Sequence, residues 1–273
     1  MTTAHDLTTA VVMARGLGTR MRRADRDADL TAAQAEAADS GTKAMMPIGR
    51  PFLDHVLSAL ADGGITHVCL VIGPNQDAVR DYYGDLEPAR ICVRFAVQEE
   101  ALGTADAVLA AEDVTGEKRF LVVNGDNYYE AGVIRALRAV TGNALAGHDK
   151  LALVERGNIE ADRISGFALV EASDDELLVD ILEKPTADVV AVHGDHAMIS
   201  MNCFAFTPRI YDACRAIGPS PRGEYEIVDA VRWLVAENEP VRVVPVASAV
   251  LDLSRRCDIP GVEAVLRGRP VYL

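Results

Sequence analysis

TAVVMARGLGTR, residues 9–20, joins a short apolar run directly to a glycine turn. The run is rich in β-branched residues, which is typical of a buried strand. Gly16 and Gly18 follow it, and glycines at such a turn let backbone N–H groups approach a phosphate chain. Because ligands of open α/β sheets bind at the carboxyl ends of the strands, this stretch predicts a strand that ends in a nucleotide-binding turn.

The first half of the chain alternates apolar runs with helical patterns. The clearest helix is predicted at residues 51–62, where leucine and valine side chains share one face, Pro51 suits the first turn, and Gly63 and Gly64 stop the helix. Strands are predicted at residues 9–14, 65–73, 89–98, 118–126 and 150–157. Since strand and helix alternate, we expect an α/β fold of three layers, Rossmann-like, around a mixed, mostly parallel sheet.

The pattern changes after residue 157. Strands predicted at residues 165–172, 177–185 and 196–206 are joined by acidic turns, which indicates an antiparallel or mixed addition to the sheet. Helices at residues 209–217 and 224–237, a strand at 241–247 and a helix at 259–267 complete the prediction. Because no linker or repeat interrupts the chain, we expect residues 1–273 to form one domain with a second subregion from about residue 150.

A short surface helix is predicted within the Ala- and Asp-rich residues 24–41. Thr31 and Gln34 have the spacing of a capping box, and Gly41 is a stop signal. The helix falls between the glycine turn and Lys43, the next candidate for phosphate binding.

The composition excludes several classes of protein. With 49% hydrophobic and 25% charged residues, the chain is typical of a globular protein and of neither a disordered nor a fibrous one. The 27 basic and 41 acidic side chains give a formal net charge of −14, which argues against binding to nucleic acid or to an anionic membrane.

The cysteines and the first residues indicate the compartment. Five scattered cysteines without a CxxC spacing predict neither a disulfide framework nor a zinc cluster. Residues 1–10 lack a signal-peptide pattern, and no apolar run reaches the roughly 18 residues of a membrane span. We therefore expect a cytoplasmic protein.

Two further side chains suit a bound phosphate, although each has a simpler explanation. Lys43 precedes the helix predicted at residues 51–62 and could pair with phosphate, or be an exposed loop lysine. Asp126 ends the run FLVVNGD, where a carboxylate suits Mg²⁺ that bridges phosphates, or supports a turn. Met21 replaces the third glycine of the dinucleotide fingerprint, and Gly-Lys-Ser/Thr is absent, so dehydrogenase and P-loop kinase chemistry both lose support.

Six strings of the chain resemble, in order and spacing, those of the sugar-1-phosphate nucleotidyltransferases, or NDP-sugar pyrophosphorylases. They are VVMARGLGTRM, KAMMPIGRPFLDHVL, LGTADAV, VVNGDN, ILEKP and GEYEIVDAV. The likeness extends over about residues 8–265, nearly the whole chain. It implies the nucleotide-diphospho-sugar transferase fold and the transfer of a nucleotidyl group from a nucleoside triphosphate to a sugar 1-phosphate, with Mg²⁺, releasing pyrophosphate.

The resemblance implies a nucleotide site within about residues 8–150. Arg20 would steady the leaving β- and γ-phosphates, and Lys43 would neutralise charge at the attacked α-phosphate. The side-chain amide of Gln98 and the backbone of Gly103 would read the base. The nucleotide-site residues implied are Ala14, Gly16, Gly18, Thr19, Arg20, Lys43, Gln98, Gly103 and Thr104.

The resemblance implies a sugar-phosphate site within about residues 150–273. Lys184 would hold the phosphate of the sugar, and Glu183 would accept hydrogen bonds from sugar hydroxyls. Gly166 and Asn202 would line the sugar pocket.

Two metal-binding aspartates are also implied by the resemblance. Asp126 matches the first. Asp252 matches the second by its spacing in DLSRRCDI, although Ser254 and Arg255 replace the glycine and threonine of the family pattern. Asp229 and Asp258 are left open as alternatives.

The implied mechanism follows from charge. An anionic phosphate oxygen attacks another phosphate, so the site must cancel repulsion and stabilise charge on the leaving pyrophosphate. Mg²⁺ and the basic side chains of Arg20, Lys43 and Lys184 would do so. Since a sugar phosphate is already deprotonated at pH 7, no general base is required.

Several alternatives stay open from sequence. Gln98 favours UTP or dTTP, with a glucose 1-phosphate-like acceptor, whereas the LGTA string also resembles guanylyl- and adenylyltransferases, and the acceptor could be an unusual sugar or cyclitol phosphate. A catalytically inactive nucleotide-sensing homologue is a second hypothesis, against which the retained basic and acidic residues speak. The sequence also leaves open whether the chain forms a homo-oligomer.

The chain departs from the family pattern at several places. Arg15 stands where the family usually has a small residue, and Thr42 replaces the proline before the lysine. Twenty-two residues separate Arg20 from Lys43, more than the family commonly has. We hypothesise that this insertion caps or borders the nucleotide side of the site.

Overall fold

The computed structural model describes residues 7–25 and 28–273. Residues 1–6, part of the stretch expected to lack a signal peptide, lie outside the described residues. In the described ranges the helices are α1 (Ala32–Ser40), α2 (Phe52–Asp62), α3 (Asp77–Asp85), α4 (Thr104–Leu109), α5 (Glu112–Thr115), α6 (Ala131–Ala139), α7 (Lys150–Arg156), α8 (Ala187–Val192), α9 (Arg209–Ala216), α10 (Ile227–Ala236) and α11 (Asp258–Leu266). Two 3-10 segments span Lys43–Met45 and Ala161–Gly166.

The strands of the same ranges are mostly short. They are β1 (Thr9–Met13), β2 (Pro47–Ile48), β3 (Arg50–Pro51), β4 (His67–Ile72), β5 (Cys92–Val97), β6 (Phe120–Asn124), β7 (Asn127–Tyr129), β8 (Asn143–Asp149), β9 (Ala168–Ala172), β10 (Leu178–Leu182), β11 (Met198–Phe206), β12 (Val241–Val246) and β13 (Val250–Asp252).

The described strands build a central sheet of nine, with the order β10-β9-β11-β6-β1-β4-β5. In addition, β8 pairs with β11, and β12 pairs with β8. Strands β5, β4, β1 and β6 run parallel to one another. Strand β11 runs antiparallel to β6, β8 and β9, and β10 runs antiparallel to β9, so β10 and β11 oppose the other strands. The predicted mixed, mostly parallel sheet is confirmed.

Strand β1 shows why the fold has three layers. Its side chains alternate between the faces of the sheet. Ala10 and Val12 pack in one apolar cluster with Leu53 of α2, whereas Val11 packs in a second cluster with Val231 of α10. Because both faces of the strand are covered, its residues form the continuous apolar run that the sequence shows.

One predicted strand is wrong. Residues 150–156 form helix α7, Gly157 is its C-cap, and the strand of this region is β8, just before it. Leucine and alanine in KLALVER are strong helix formers, and Asp149 caps the helix by accepting a hydrogen bond from the N–H of Ala152 at 2.8 Å. Strand β8 contains Gly147 and Asp149, which are depleted in strands, and its pairing with β11 and β12 overrides that preference.

The other predicted strands and helices are present near their expected positions, with three differences. Helix α8 joins β10 to β11, where an acidic turn was expected. Pro51 precedes α2 as its N-cap instead of lying in the first turn. The additional strands β7 and β13 pair in a small separate sheet that the sequence patterns did not predict.

The helix predicted in the insertion is confirmed as α1. The hydroxyl oxygen of Thr31 accepts from the N–H of Gln34, whose side-chain oxygen accepts from the N–H of Thr31. Gly41 ends the helix with φ of 76°, in the left-handed region that glycine adopts without strain.

Hydropathy gives one further observation. Among the helices of residues 7–25 and 28–273, none combines the length and the apolar character that a membrane crossing requires.

Candidate active site

A cavity of about 740 Å³ lies at the carboxyl ends of β1 and β6, within the size range of small-molecule sites. Every predicted site residue except Gly18 lines it. The residues that do so are Ala14, Gly16, Thr19, Arg20, Lys43, Gln98, Gly103, Thr104, Asp126, Gly166, Glu183, Lys184, Asn202 and Asp252. Chain segments far apart in sequence therefore meet around one space, while the roles of these residues stay predictions.

Gly18 is the buried glycine of the turn. Its φ is 61°, and a β-carbon there would lie 2.3 Å from the carbonyl oxygen of Gly41. Gly41 ends α1, so the turn and the insertion approach each other through two glycines. Gly18 thus shapes the turn through close packing, and the exposed Gly16 has open space around it.

Lys43 and Asp126 form an ion pair at the floor of the cavity. Lys43 lies in the 3-10 turn after α1, and Asp126 lies in the loop between β6 and β7. The Nζ of Lys43 donates to Oδ2 of Asp126 at 2.8 Å, with side chains 12% and 29% exposed. The side chain predicted to contact phosphate and the one predicted to hold metal are thus direct neighbours.

The small sheet of β7 and β13 brings the two predicted metal ligands together. Asp252 pairs with Asn127 in the strand register, one residue from Asp126. The N–H of Leu253 donates to the backbone oxygen of Asp126 at 2.9 Å. Because these two residues are 126 positions apart in the chain, the closeness of their segments depends on this pairing.

The carboxylate of Asp252 is almost fully buried and strongly hydrogen-bonded. Its Oδ2 accepts from Nη2 of Arg163 at 2.5 Å. Its Oδ1 accepts from Ser254 Oγ at 3.0 Å and from Asn127 Nδ2 at 3.2 Å. Burial, and then the charge of Asp126, raise the pKa of Asp252 to about 6, while Arg163 opposes the rise.

Arg163 is a cavity residue that the sequence reasoning missed. It also binds Oδ1 of Asp258 at 2.6 Å, and only 7% of its side chain is exposed. The other oxygen of Asp258 accepts hydrogen bonds from the N–H groups of Ser254 and Arg255 at 2.9 and 2.6 Å, so Asp258 fixes the turn before α11.

Of the three candidates for the second metal ligand, Asp252 lines the cavity, and Asp229 and Asp258 do not.

The donor set permits one mode of metal binding. No group of three or more His, Cys, Asp and Glu side chains in the described ranges is arranged to hold a metal ion. Mg²⁺ is commonly held by one or two carboxylates together with phosphates of the substrate. Asp126 and Asp252 fit that mode, in which the substrate supplies the remaining oxygen ligands.

Glu183 and Lys184, which are predicted to bind the sugar phosphate, line the cavity together with Arg222. The Nζ of Lys184 and Nη2 of Arg222 lie 3.7 and 3.3 Å from Oε1 of Glu183. Arg222 also contacts the carboxylate of Glu226. Burial raises the pKa of Glu183, and the charge of Glu226 adds to the rise. Sequence reasoning missed Arg222, although it directly precedes the string GEYEIVDAV and could have been found there.

Gln98, Gly103 and Thr104 line another part of the cavity. The Nε2 of Gln98 donates to the backbone oxygen of Gly103 at 2.9 Å and to Oδ2 of Asp106 at 2.7 Å. Gly103 has φ of 126°, and a β-carbon there would lie 2.4 Å from the carbonyl oxygen of Tyr225. The hydroxyl oxygen of Thr104 accepts the N–H of Ile227 at 2.8 Å, which ties this loop to α10.

A bulge in β11 directs Asn202 into the cavity wall. The pairing of β11 with β8 shifts register between Ser200 and Phe204, and Asn202 has φ of 55°. Its Nδ2 lies 3.5 Å from Oδ1 of Asn124, at the end of β6. Gly166, the last residue of the second 3-10 segment, lines the same cavity and has open space at its missing β-carbon.

The insertion contacts the site indirectly. None of residues 21–25 and 28–42 lines the cavity. The guanidinium of Arg256 donates to the backbone oxygens of Met21 and Arg23 at 2.9 and 3.0 Å and pairs with Asp39. The described residues of the insertion thus lie outside the cavity lining and join the glycine turn to the segment after Asp252. That the insertion caps or borders the nucleotide side of the site stays a hypothesis.

A comparison with protein families gives one match over most of the chain. The sequence model described as nucleotidyl transferase matches residues 9–248.

Three individual relatives are 27–30% identical to this chain. A glucose-1-phosphate thymidylyltransferase of Streptomyces griseus is 28% identical over 94% of this chain and 65% of its own. A UTP–glucose-1-phosphate uridylyltransferase, AglF, of Haloferax volcanii is 27% identical over 89% of this chain and 90% of its own. A glucose-1-phosphate thymidylyltransferase of Streptomyces antibioticus is 30% identical over 83% and 57%. The chain thus spans less than two thirds of both Streptomyces proteins.

The fold is similar to that of solved structures. A UDP-glucose pyrophosphorylase complexed with UDP-glucose superposes with a TM-score of 0.75 at 16% identity, over 97% of this chain and 100% of the other. The apo form gives a TM-score of 0.73. The predicted nucleotide-diphospho-sugar transferase fold is confirmed.

Proposed function

Because this chain belongs to the nucleotidyl transferase family, we propose that it transfers a nucleotidyl group from a nucleoside triphosphate to a sugar 1-phosphate, with release of pyrophosphate. UTP or dTTP is the nucleotide that we favour, and glucose 1-phosphate or a similar sugar phosphate is the acceptor. The relatives named above as thymidylyl- and uridylyltransferases support this choice.

One observation carries the proposal: basic side chains and two carboxylates from distant segments line a single cavity. Arg20 and Lys43 come from the two sides of the insertion, and Lys184 comes from the loop after β10. Asp126 and Asp252 lie on neighbouring segments beside Lys43. This arrangement matches a reaction in which two anions must be brought together.

The basic side chains would act on the phosphates. Arg20 would bind the β- and γ-phosphates that depart, and the fork of its guanidinium suits phosphate oxygens. Lys43 would neutralise charge at the attacked α-phosphate, and Lys184 would position the phosphate of the sugar. Because that phosphate is deprotonated at pH 7, the attacking oxygen needs no general base.

Asp126 and Asp252 would hold Mg²⁺ together with the phosphates. When bound there, the ion would supply positive charge to the reacting phosphates. Arg163 would keep the buried carboxylate of Asp252 oriented, since it contacts both this residue and Asp258.

We also propose that the two parts of the domain bind different substrates. Residues up to about 150 would bind the nucleotide, and the later residues would bind the sugar phosphate. In support of this division, Gln98 and Gly103 come from the earlier residues, and Glu183 and Arg222 come from the later residues, while all four line the cavity.

We also propose that the protein acts in a reducing compartment such as the cytoplasm. Cys69, Cys92, Cys203, Cys214 and Cys257 are all free. Cytosolic proteins keep their thiols reduced, which is consistent with five unpaired cysteines.

A substrate panel tests the proposed function. The protein is mixed with Mg²⁺, each of UTP, dTTP, GTP, ATP and CTP, and a set of sugar and cyclitol 1-phosphates, and pyrophosphate is measured. Release that requires both substrates supports the proposal. Nucleotide binding without release would support an inactive sensing homologue, and release with GTP or ATP alone would support the guanylyl- or adenylyltransferase alternative.

A further inference from the structure

Arg15 makes contacts that the proposed function has not used. It follows β1 and lines the cavity beside Gln98. Its Nε donates to the backbone oxygen of Gln98 at 2.7 Å, and its Nη2 donates to that of Glu99 at 3.0 Å. The guanidinium is therefore fixed against the loop that follows β5, 83 residues away in the chain.

The third nitrogen of Arg15 is unusual. Nη1 is buried and has no hydrogen-bond partner in the described part of the chain. A guanidinium carries five N–H donors, and buried donors without a partner are rare in folded proteins. An acceptor that enters beside this side chain would therefore gain a charge-assisted hydrogen bond.

The neighbouring loops hold Arg15 in place. The aliphatic part of Arg15 packs against Gly73, where a β-carbon would lie 3.2 Å from Cγ of Arg15. The side chain of Gln76 bridges the N–H of Gly73 and the backbone oxygen of Ala14. The loops after β1, β4 and β5 are thus tied together, and the guanidinium has little freedom to turn away.

Gln98 offers the complementary group. The donor contacts of its Nε2, to Gly103 and Asp106, engage its amide hydrogens with groups that are acceptors only. Its Oε1 is then the group left for a ligand, and it can only accept. The side chains of Arg15 and Gln98 thus present a fixed cationic donor beside a fixed acceptor.

Resting on the proposed function, we propose that Arg15 is a specificity-determining residue that selects triphosphates whose base has a ring N–H beside a carbonyl oxygen. The ring N–H would donate to Oε1 of Gln98, and the carbonyl oxygen would accept from the guanidinium of Arg15. Uracil, thymine and guanine carry this pair of groups. Cytosine and adenine instead carry a ring nitrogen lone pair beside an amino group, which would face Oε1 and the guanidinium with like polarity.

Nucleotide binding without sugar phosphate tests this proposal. Affinities of UTP, CTP, GTP and ATP, each with Mg²⁺, are measured by calorimetry for the wild type and three variants. Arg15→Gly restores a small residue, Arg15→Lys keeps the charge without the fork, and Arg94→Ala removes an exposed arginine of β5 outside the cavity. Thermal unfolding of each variant shows that it is folded.

The proposal predicts that the Arg15 variants change the ratio of the affinities for UTP and CTP, or for GTP and ATP. The wild type should bind UTP more tightly than CTP, or GTP more tightly than ATP, by about tenfold or more. Arg15→Gly should reduce that ratio by about tenfold, Arg15→Lys by less, and Arg94→Ala should preserve it.

Two results would overturn the proposal, and they are distinguishable from failure of the proposed function. An equal loss of affinity for all four triphosphates in Arg15→Gly would show that Arg15 only holds the loop after β5 in place. Equal binding of all four by the wild type would exclude selection at this site. Absence of binding for every triphosphate would instead reject the proposed function, and this inference with it.

Discussion

The Nζ of Lys43 lies 2.8 Å from Oδ2 of Asp126, so the site pairs its own cation with its own anion. Both side chains belong to a cavity whose lining comes from loops across the whole sheet. A phosphate would replace Asp126 as the partner of Lys43, and a divalent cation would replace Lys43 as the partner of Asp126. Binding of the two charged ligands is therefore expected to be mutually supportive.

Asp126→Asn should lower turnover by about a hundredfold or more, because it removes charge from a proposed metal ligand. The free energy of unfolding should change by no more than about 1 kcal/mol, since the partly exposed ion pair contributes little to stability. Steady-state kinetics and urea unfolding measure the two effects. Asp195→Asn is the matched control, because it removes an ion pair with Lys150 outside the cavity. A folded Asp126→Asn enzyme with normal turnover would refute the metal assignment.

Lys184→Ala should raise KM for the sugar phosphate by about tenfold or more and leave nucleotide affinity nearly unchanged. The side chain lies on the wall with Glu183 and Arg222, away from the glycine turn in the chain. Initial rates with each substrate varied in turn measure the difference. Lys118→Ala, an exposed lysine outside the cavity, serves as control. Equal effects on both substrates would contradict the assigned role.

Gly18→Ala should destabilise the protein by at least about 2 kcal/mol, because φ of 61° and a contact of 2.3 Å with Gly41 both oppose a side chain. Gly16→Ala should leave stability nearly unchanged, since nothing lies within 4 Å of its missing β-carbon. Chemical denaturation of both variants measures the difference. Similar stability of the two would show that the glycine turn does not depend on its approach to α1.

His148 should make stability fall in acid. It is fully buried near the ring of Tyr129, and burial lowers its pKa from 6.5 to about 4. Between these two pH values the unfolded chain binds a proton that the folded chain does not. The contribution of neutral His148 to the free energy of unfolding is therefore fully present above pH 6.5 and is lost as the pH falls toward 4.

The expected loss from His148 is up to about 3 kcal/mol between pH 7 and 4. Urea unfolding across this pH range measures it. His148→Leu should flatten that part of the pH profile. An unchanged profile in this variant would assign the acid sensitivity to other groups.

The sequence predicted most of the fold because its central strands are buried on both faces. Residues of β1 such as Val11 and Val12 must be apolar whichever face they point to, and this makes the strands visible as continuous runs. The error at residues 150–157 has the opposite cause. Strand β8 lacks a local signal, because its pairing with β11 and β12 stabilises residues that disfavour strands.

Some residues of the candidate site could likewise be predicted from the sequence, and others could not. Glycines and charged residues near strand ends could be found in the sequence, since their positions follow from the parallel sheet. Arg163 could not, because its importance arises from contacts with Asp252 and Asp258, about 90 residues later. The packing of Gly18 against Gly41 likewise depends on the position of α1, which local sequence patterns do not give.

Isotope transfer tests the central claim most directly. Glucose 1-phosphate labelled with ¹⁸O in its phosphate group is incubated with the protein, Mg²⁺ and UTP or dTTP, and the products are analysed by mass spectrometry. Attack of the sugar phosphate on the α-phosphate predicts an NDP-sugar that retains all of the label and a pyrophosphate that contains none. Label in pyrophosphate or in free phosphate, or pyrophosphate formed without NDP-sugar, would contradict the account.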